Sequence, residues 1–310
     1  MKKITILISL FISTTTFALP TYHVEKYTSK HAKGFDRSIP IPVMKWKSHS
    51  NEQSIPGSAD ISSMVSLPED QGACGACWDF SLTKALRSEY MVNGSDPGVL
   101  EFNYLLNNCG PGPAMGGCNG GSFAAAASFL KGAGPGLNSV NPYTGRDGGK
   151  CFSQPVAATA VEYTMLGTNG VNPTFQDLAY AVGVEKHMVS IDVAASSGDW
   201  ENYSNGIYNG CTGNASDIDH MIDVVGYDCQ TSVDSNGLCV FDANGRPING
   251  DGFLIVENNW GENWGTTAAN GHGGYMKTVM YGADGSNCNA IANDALVFDA
   301  NSNTSKKAKV

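Results

Sequence analysis

The chain has 310 residues and a formal net charge of −10. That length suffices for one large domain or two lobes with cores of their own. An acidic chain whose one basic run, Lys306-Lys307-Ala308-Lys309, sits at its end reads as no nucleic-acid binder. Residues 1–18 read as a secretory signal peptide. Lys2 and Lys3 open it, Ile4 to Ile12 is mostly apolar, and Thr16-Phe17-Ala18 ends on a small residue. The apolar run is too short to span a bilayer, so a secreted or extracytoplasmic protein with no membrane partner is expected. Residues 19–54 form an N-terminal extension with Pro40 and Pro42 and no clear period. A helix is predicted over 77–93, where Trp78, Leu82, Ala85, Leu86 and Tyr90 share one side and Asn93-Gly94 ends the pattern. Residues 100–108, the alanine-rich 121–131 and 174–182 are also predicted helical. The character then changes. Val189 to Val193 and His220 to Tyr227 alternate, and Gly252 to Glu257 is an apolar run of buried-strand type. Helices first and strands later predict an α+β fold of two lobes, with the domain proper over 55–298. Residues 228–251 read as a surface insertion and 299–310 as a disordered tail.

Nine cysteines stand at 74, 77, 109, 118, 151, 211, 229, 239 and 288. Export favours disulfides. Eight can pair and one is left over, and the count alone does not say which.

The segment Gln71-Gly72-Ala73-Cys74-Gly75-Ala76-Cys77-Trp78-Asp79-Phe80 concentrates chemistry. It sets Cys77 at a predicted helix N-terminus, where the dipole favours thiolate. It also offers Gln71 as a side-chain donor to an oxyanion. A cysteine nucleophile needs a base and a group that orients the base. Asp219-His220-Met221 opens one predicted strand, and Glu257-Asn258-Asn259-Trp260-Gly261 ends another. Gly117-Cys118-Asn119-Gly120-Gly121 adds a glycine run around a cysteine.

These four segments, in their order along the chain, resemble those of the papain-like (cathepsin-like) cysteine proteases, over roughly residues 55–298. The resemblance implies a helical N-terminal lobe, a β-barrel-like C-terminal lobe and a cleft between them. It implies a cysteine endopeptidase that acts on peptide or protein substrates as a monomer, without cofactor or metal. Carried over, Cys77 is the nucleophile, His220 the base, Asn258 its orienter and Gln71 the oxyanion donor. Gly120 and Gly121 line the cleft. Phe123 and Met221, with Val193 a weaker candidate, line the pocket for the second residue before the scissile bond. Trp260 covers the Asn258–His220 hydrogen bond. The resemblance also implies disulfides Cys74–Cys118, Cys109–Cys151 and Cys211–Cys288, with Cys229–Cys239 inside the insertion and Cys77 free.

Other readings stand beside these. Cys74 and Cys77 form a C-x-x-C pair that a thiol–disulfide oxidoreductase would use, and a papain-fold protein with weak catalysis could merely bind peptides. Asp79 stands where the family has a small residue, and it is expected to oppose the thiolate. The extension lacks the family's long helical propeptide pattern. It is expected to lie along the cleft as a short inhibitory segment, with Ile39-Pro40-Ile41-Pro42-Val43-Met44 in an apolar subsite. His31, His49, His187 and His272 carry no supporting motif and read as structural or solvated.

Overall fold

A computed structural model describes residues 31–36, 44–49, 54–111, 114–169 and 171–300. Helix α1 (Cys77–Val92) is buried on nearly every side because it lies between two layers. It packs on α3 (Phe123–Leu130) and on strands of the sheet. Trp78, Phe80, Leu82 and Leu86 enter one apolar cluster with α2 (Asn103–Leu106) and α3. The four small alanines 124–127 let α3 approach closely. The second cluster is built from strand side chains such as Val189, Ile191, Val224, Leu254 and Val256.

The strands form one sheet. They are β1 (Lys45–Lys47), β2 (Ser58–Asp60), β3 (Ala160–Leu166), β4 (Val189–Val193), β5 (Ile207–Tyr208), β6 (His220–Asp228), β7 (Phe253–Glu257), β8 (Tyr275–Val279) and β9 (Ala295–Ala300). Their order is β1-β3-β9-β4-β6-β7-β8-β5, with β2 paired to β6. The central strands β4, β6 and β7 are almost wholly buried. β7 reads as an apolar run for that reason, whereas β4 and β6 alternate because they bury polar Ser190, Asp192 and Asp223 as well. Short helices α4 (Phe175–Tyr180) and α5 (Gly198–Glu201) sit on its connections.

Three boundaries differ from those predicted. The helix expected over 100–108 shrinks to α2, because Leu100 bridges to Leu137 and Asn108 takes a left-handed φ of 56°. The helix expected over 174–182 starts at a Thr174–Asp177 capping box and passes after Tyr180 into a wide turn ending at Glu185. β9 carries Asp299 and Ala300, two residues expected in the tail. The rest of that tail and the signal segment lie outside the described residues.

Four disulfides fasten the loops: Cys74–Cys118, Cys109–Cys151, Cys211–Cys288 and Cys229–Cys239. Cys77 is the free cysteine and is buried. The 228–251 segment folds on aspartate-led turns, with Asp234 Oδ1 accepting from Asn236 N and Asp242 Oδ1 from Asn244 N, each at 2.8 Å. It docks on residues 55–57 through Cys239 N to Ile55 O and Gly57 N to Gly237 O, both 2.8 Å.

One buried ionic cluster joins the layers. Lys84 of α1 reaches Glu257 of β7 at 2.6 Å and Asp223 of β6 at 3.6 Å. Burial raises the Asp223 carboxyl to about 7, against the pull of Lys84. A carboxyl raised on folding gives its full stability below the unfolded value, and that stability is lost as pH rises through 7. Asp223→Asn keeps an acceptor for Ser81 and Ser190 but cannot ionise. The variant's melting temperature should therefore gain on the parent's between pH 4.5 and 8, by about 3 °C or more. Parallel melting curves over that range would refute the assignment.

Candidate active site

Cys77 is the first residue of α1, and Cys74–Cys118 ties the loop before it to the Gly117–Gly121 segment. Glycines make the close approach there possible. A Cβ at Gly121 would lie 2.3 Å from the Trp78 ring, and one at Gly75 would lie 2.5 Å from the carbonyl oxygens of both Cys118 and Lys33. Trp78 Nε1–H donates to Gly117 O at 3.2 Å and fixes the ring under that glycine run.

His220 opens β6 opposite Val193 of β4. Asn258 follows β7. Its Oδ1 accepts from Asn259 N at 2.7 Å and lies 2.8 Å from His220 Nε2. A backbone donor on the same atom marks it as the amide oxygen, so Nε2 of His220 carries the proton and Nδ1 is the acceptor. Nδ1 is buried and makes no hydrogen bond. Trp260 stacks on the His220 ring at 4.8 Å, and Trp264 meets Trp260 edge to face at 5.2 Å. Asn259 Nδ2 donates to Met221 O at 2.9 Å, and so ties the orienting loop to β6.

A peptide already lies in this cleft, and it belongs to the chain itself. Residues 31–36 of the extension cross it. The His31 ring stacks on Trp260 at 4.3 Å. Ala32 O accepts from Gln71 Nε2 at 3.0 Å. Gly34 N–H donates to Cys77 Sγ at 3.2 Å. Gly121 N donates to Gly34 O at 3.0 Å and Asp36 N to Gly121 O at 2.9 Å, so Phe35 pairs parallel with Gly121. Phe35 packs on the cluster that contains Phe123 and Met221. Val193 belongs to the other cluster. The described part of the extension in the cleft is residues 31–36. Residues 39–43 lie outside the described residues, and Met44 packs on the helical cluster beside β1.

The covered site favours neutral groups. Burial pushes the Cys77 thiol up to about 12, with the Asp219 carboxylate adding to the rise and backbone groups of Met221, Gly34 and Trp78 opposing it. Burial likewise brings the His220 imidazole down to about 3, against the Asn258 hydrogen bond. Asp79, expected to oppose the thiolate, is fully buried, and its Oδ1 accepts from Thr83 Oγ1 at 3.0 Å. Burial raises its own carboxyl well above the carboxylate range. The charge that acts on Cys77 is that of Asp219. Asp219 accepts from Ala195 N at 2.9 Å and from Ser196 Oγ.

Sequence reasoning missed Asp219, although it adjoins His220. It also missed His31, Lys33 and Glu201. Lys33 Nζ pairs with Glu201 of α5 at 2.5 Å across the same cleft. No local pattern marks these last three, because each gains its place only through a distant partner.

This sheet-and-helix frame and cleft define a cysteine-hydrolase architecture with known counterparts. The profile of the papain family cysteine proteases matches residues 55–297. The chain therefore belongs to the papain family of cysteine proteases. It is 28% identical over 245 residues to digestive cysteine proteinase 2 of Homarus americanus, covering 78% of this chain and 66% of that protein. It is 27% identical over 246 residues to a cathepsin L-like proteinase of Fasciola hepatica, covering 78% and 67%. The chain thus spans about two thirds of the length of these curated relatives. Its fold matches the structure of digestive procathepsin L 3 of Tenebrio molitor larval midgut with a TM-score of 0.63 and 26% identity, over 86% of this chain and 76% of that one.

Proposed function

We propose that the protein is an exported, monomeric cysteine endopeptidase made with its cleft closed by its own residues 31–36. Cys77 is the nucleophile. His220 Nδ1 takes the thiol proton when the cleft is open, and the imidazolium later gives it to the leaving amine. Asn258 holds the His220 tautomer. Gln71 Nε2 donates to the oxygen that becomes negative. The observation that carries this reading is the docked segment: backbone on the sulfur, a carbonyl on Gln71 and a strand pair with Gly121.

The same geometry explains why the segment survives. Attack requires one carbonyl with its carbon at the sulfur and its oxygen at Gln71. Here Gln71 holds Ala32 O while the sulfur accepts from the N–H of Gly34, two residues on. The direction is also wrong. A leaving amine must lie near His220, so the substrate half after the scissile bond passes over Trp260 and the half before it lies along Gly120–Gly121. The extension runs the other way, from Trp260 at His31 to Gly121 at Phe35. The test is mass spectrometry of the full chain with the epoxide E-64, alongside peptide hydrolysis. Single alkylation at Cys77 and turnover of a peptide support the reading; turnover without Cys77 sinks it.

Specificity follows from Phe35. Phe35 packs on the apolar cluster that contains Phe123 and Met221, and an unpaired charge placed against that cluster loses its hydration. Peptides with Phe, Leu or Val two residues before the scissile bond should exceed Arg or Asp peptides in kcat/KM by about tenfold or more. A profiled library that prefers Arg at that position contradicts this pocket.

A further inference from the structure

The Lys33–Glu201 pair takes no part in cysteine chemistry, yet it is deeply buried, with side-chain exposures of 7% and 0%. The same ammonium lies 5.7 Å over the Trp260 ring. Both walls belong to the catalytic domain, and the backbone at Glu201 is anchored within it. Glu201 ends α5, which is capped by Ser197, and its carbonyl accepts Trp264 Nε1–H at 3.1 Å. Trp264 in turn meets Trp260 edge to face. A second carboxyl stands at this end of the cleft: Asp219 is raised chiefly by burial, and it feels Lys33, which lowers its pKa, and Glu201, which raises it. A carboxylate beside an indole face suits a lysine or arginine head, through charge pairing and cation–π attraction together.

Resting on the protease reading above, we propose that Glu201 and Trp260 form a subsite for a lysine or arginine side chain on the leaving-group side of the scissile bond, and that Lys33 fills this subsite while the cleft is closed. The side follows from His220. Trp260 covers the imidazole that protonates the leaving amine, so the residues beyond that amine pass this wall. Glu201 then selects among substrates, whereas Phe123 and Met221 select on the opposite side.

The test uses the full chain carrying Lys33→Leu and Cys77→Ala, which removes the ammonium from the subsite and prevents turnover. Fluorescent peptides, identical except for Lys, Arg, Leu or Glu at the first or second position after a Phe-x bond, are titrated by anisotropy. Lys and Arg peptides should bind about tenfold tighter than Leu peptides, with Glu peptides weakest. Residual competition from the extension affects all peptides alike and leaves these ratios unchanged. Glu201→Gln in the same background should level the ratio, and Glu201→Lys should turn the preference toward Glu. Equal affinities for Lys and Leu peptides, or no binding of the Lys peptides, overturn the proposal even if the Glu201 variants do not fold. The same panel is then offered to the chain that retains Cys77. Selective binding with no hydrolysis defeats the protease reading and leaves the subsite standing. Hydrolysis without a basic preference does the reverse.

Discussion

Cys77→Ala is expected to lower peptide hydrolysis by on the order of 10⁴-fold or more while the protein stays folded. The first half rests on Cys77 being the one cysteine outside the four disulfides. The second rests on bonding: Cys77 is the free cysteine, so all four disulfides survive the change. Removing one sulfur from a buried position leaves a small void, which costs about 1 kcal/mol. His220→Ala should be nearly as severe, because a thiol pushed up by burial needs a base to lose its proton. Asn258→Ala should cost less, about 10²-fold, because it orients the imidazole without touching the peptide. Its shape of loss is diagnostic. Asn258 Oδ1 keeps the proton on Nε2, so its removal should lower kcat more than it raises KM. Initial rates and circular dichroism on the three variants decide the matter. Substantial turnover by folded Cys77→Ala would overturn the nucleophile assignment.

What the sequence made legible was chemistry that only a few residue types can perform. A thiol at a helix start, an imidazole at a strand start and an amide after another strand are rare in combination, and their order added a further constraint. The strands were readable from two patterns: β7 is buried on both faces and carries an apolar run, while β4 and β6 alternate apolar with polar residues although both faces are buried. Helix ends were less readable. Leu100 and Glu101 spend their backbone groups on residues 136–137, and this tertiary pairing shortens α2. Asp79 looked like a neighbour of the thiolate because it is two residues away along the chain. Two positions on a helix point to different sides, and the side chain turns to Thr83 instead. The contents of the cleft were hardest to read. The proline-containing Ile39–Met44 run drew the reading, and plain Lys33-Gly34-Phe35, which lies in the cleft, carries no pattern that marks it. Lys33 and Glu201 are 168 positions apart. No window along the chain can show such a pair.

Gly34→Ala is expected to open the cleft. The extension passes Cys77 with the Gly34 backbone close against those of Gly75 and Gly120. A Cβ on Gly34 would lie 1.7 Å from Gly75 O and 2.4 Å from Gly75 C, a clash with main chain that no rotamer change relieves. Gly75 cannot retreat easily. Its N–H donates to Cys118 O at 3.0 Å, and Cys118 is bonded to Cys74. The extension has to move instead, and it gives up the Gly34 N–H on the sulfur and the pair with Gly121 together. Overpacking in a well-packed site costs about 1–3 kcal/mol, enough to raise the open population by roughly tenfold to a hundredfold. Alkylation of Cys77 by E-64 in the full-length variant should accelerate by that factor, and peptide turnover should begin without a lag. β1 pairs with β3 at a separate site, so the extension stays attached through residues 45–47 and the fold is unaffected. Were Gly34→Ala labelled at the same rate as the parent chain, residues 31–36 would not be what limits access to Cys77.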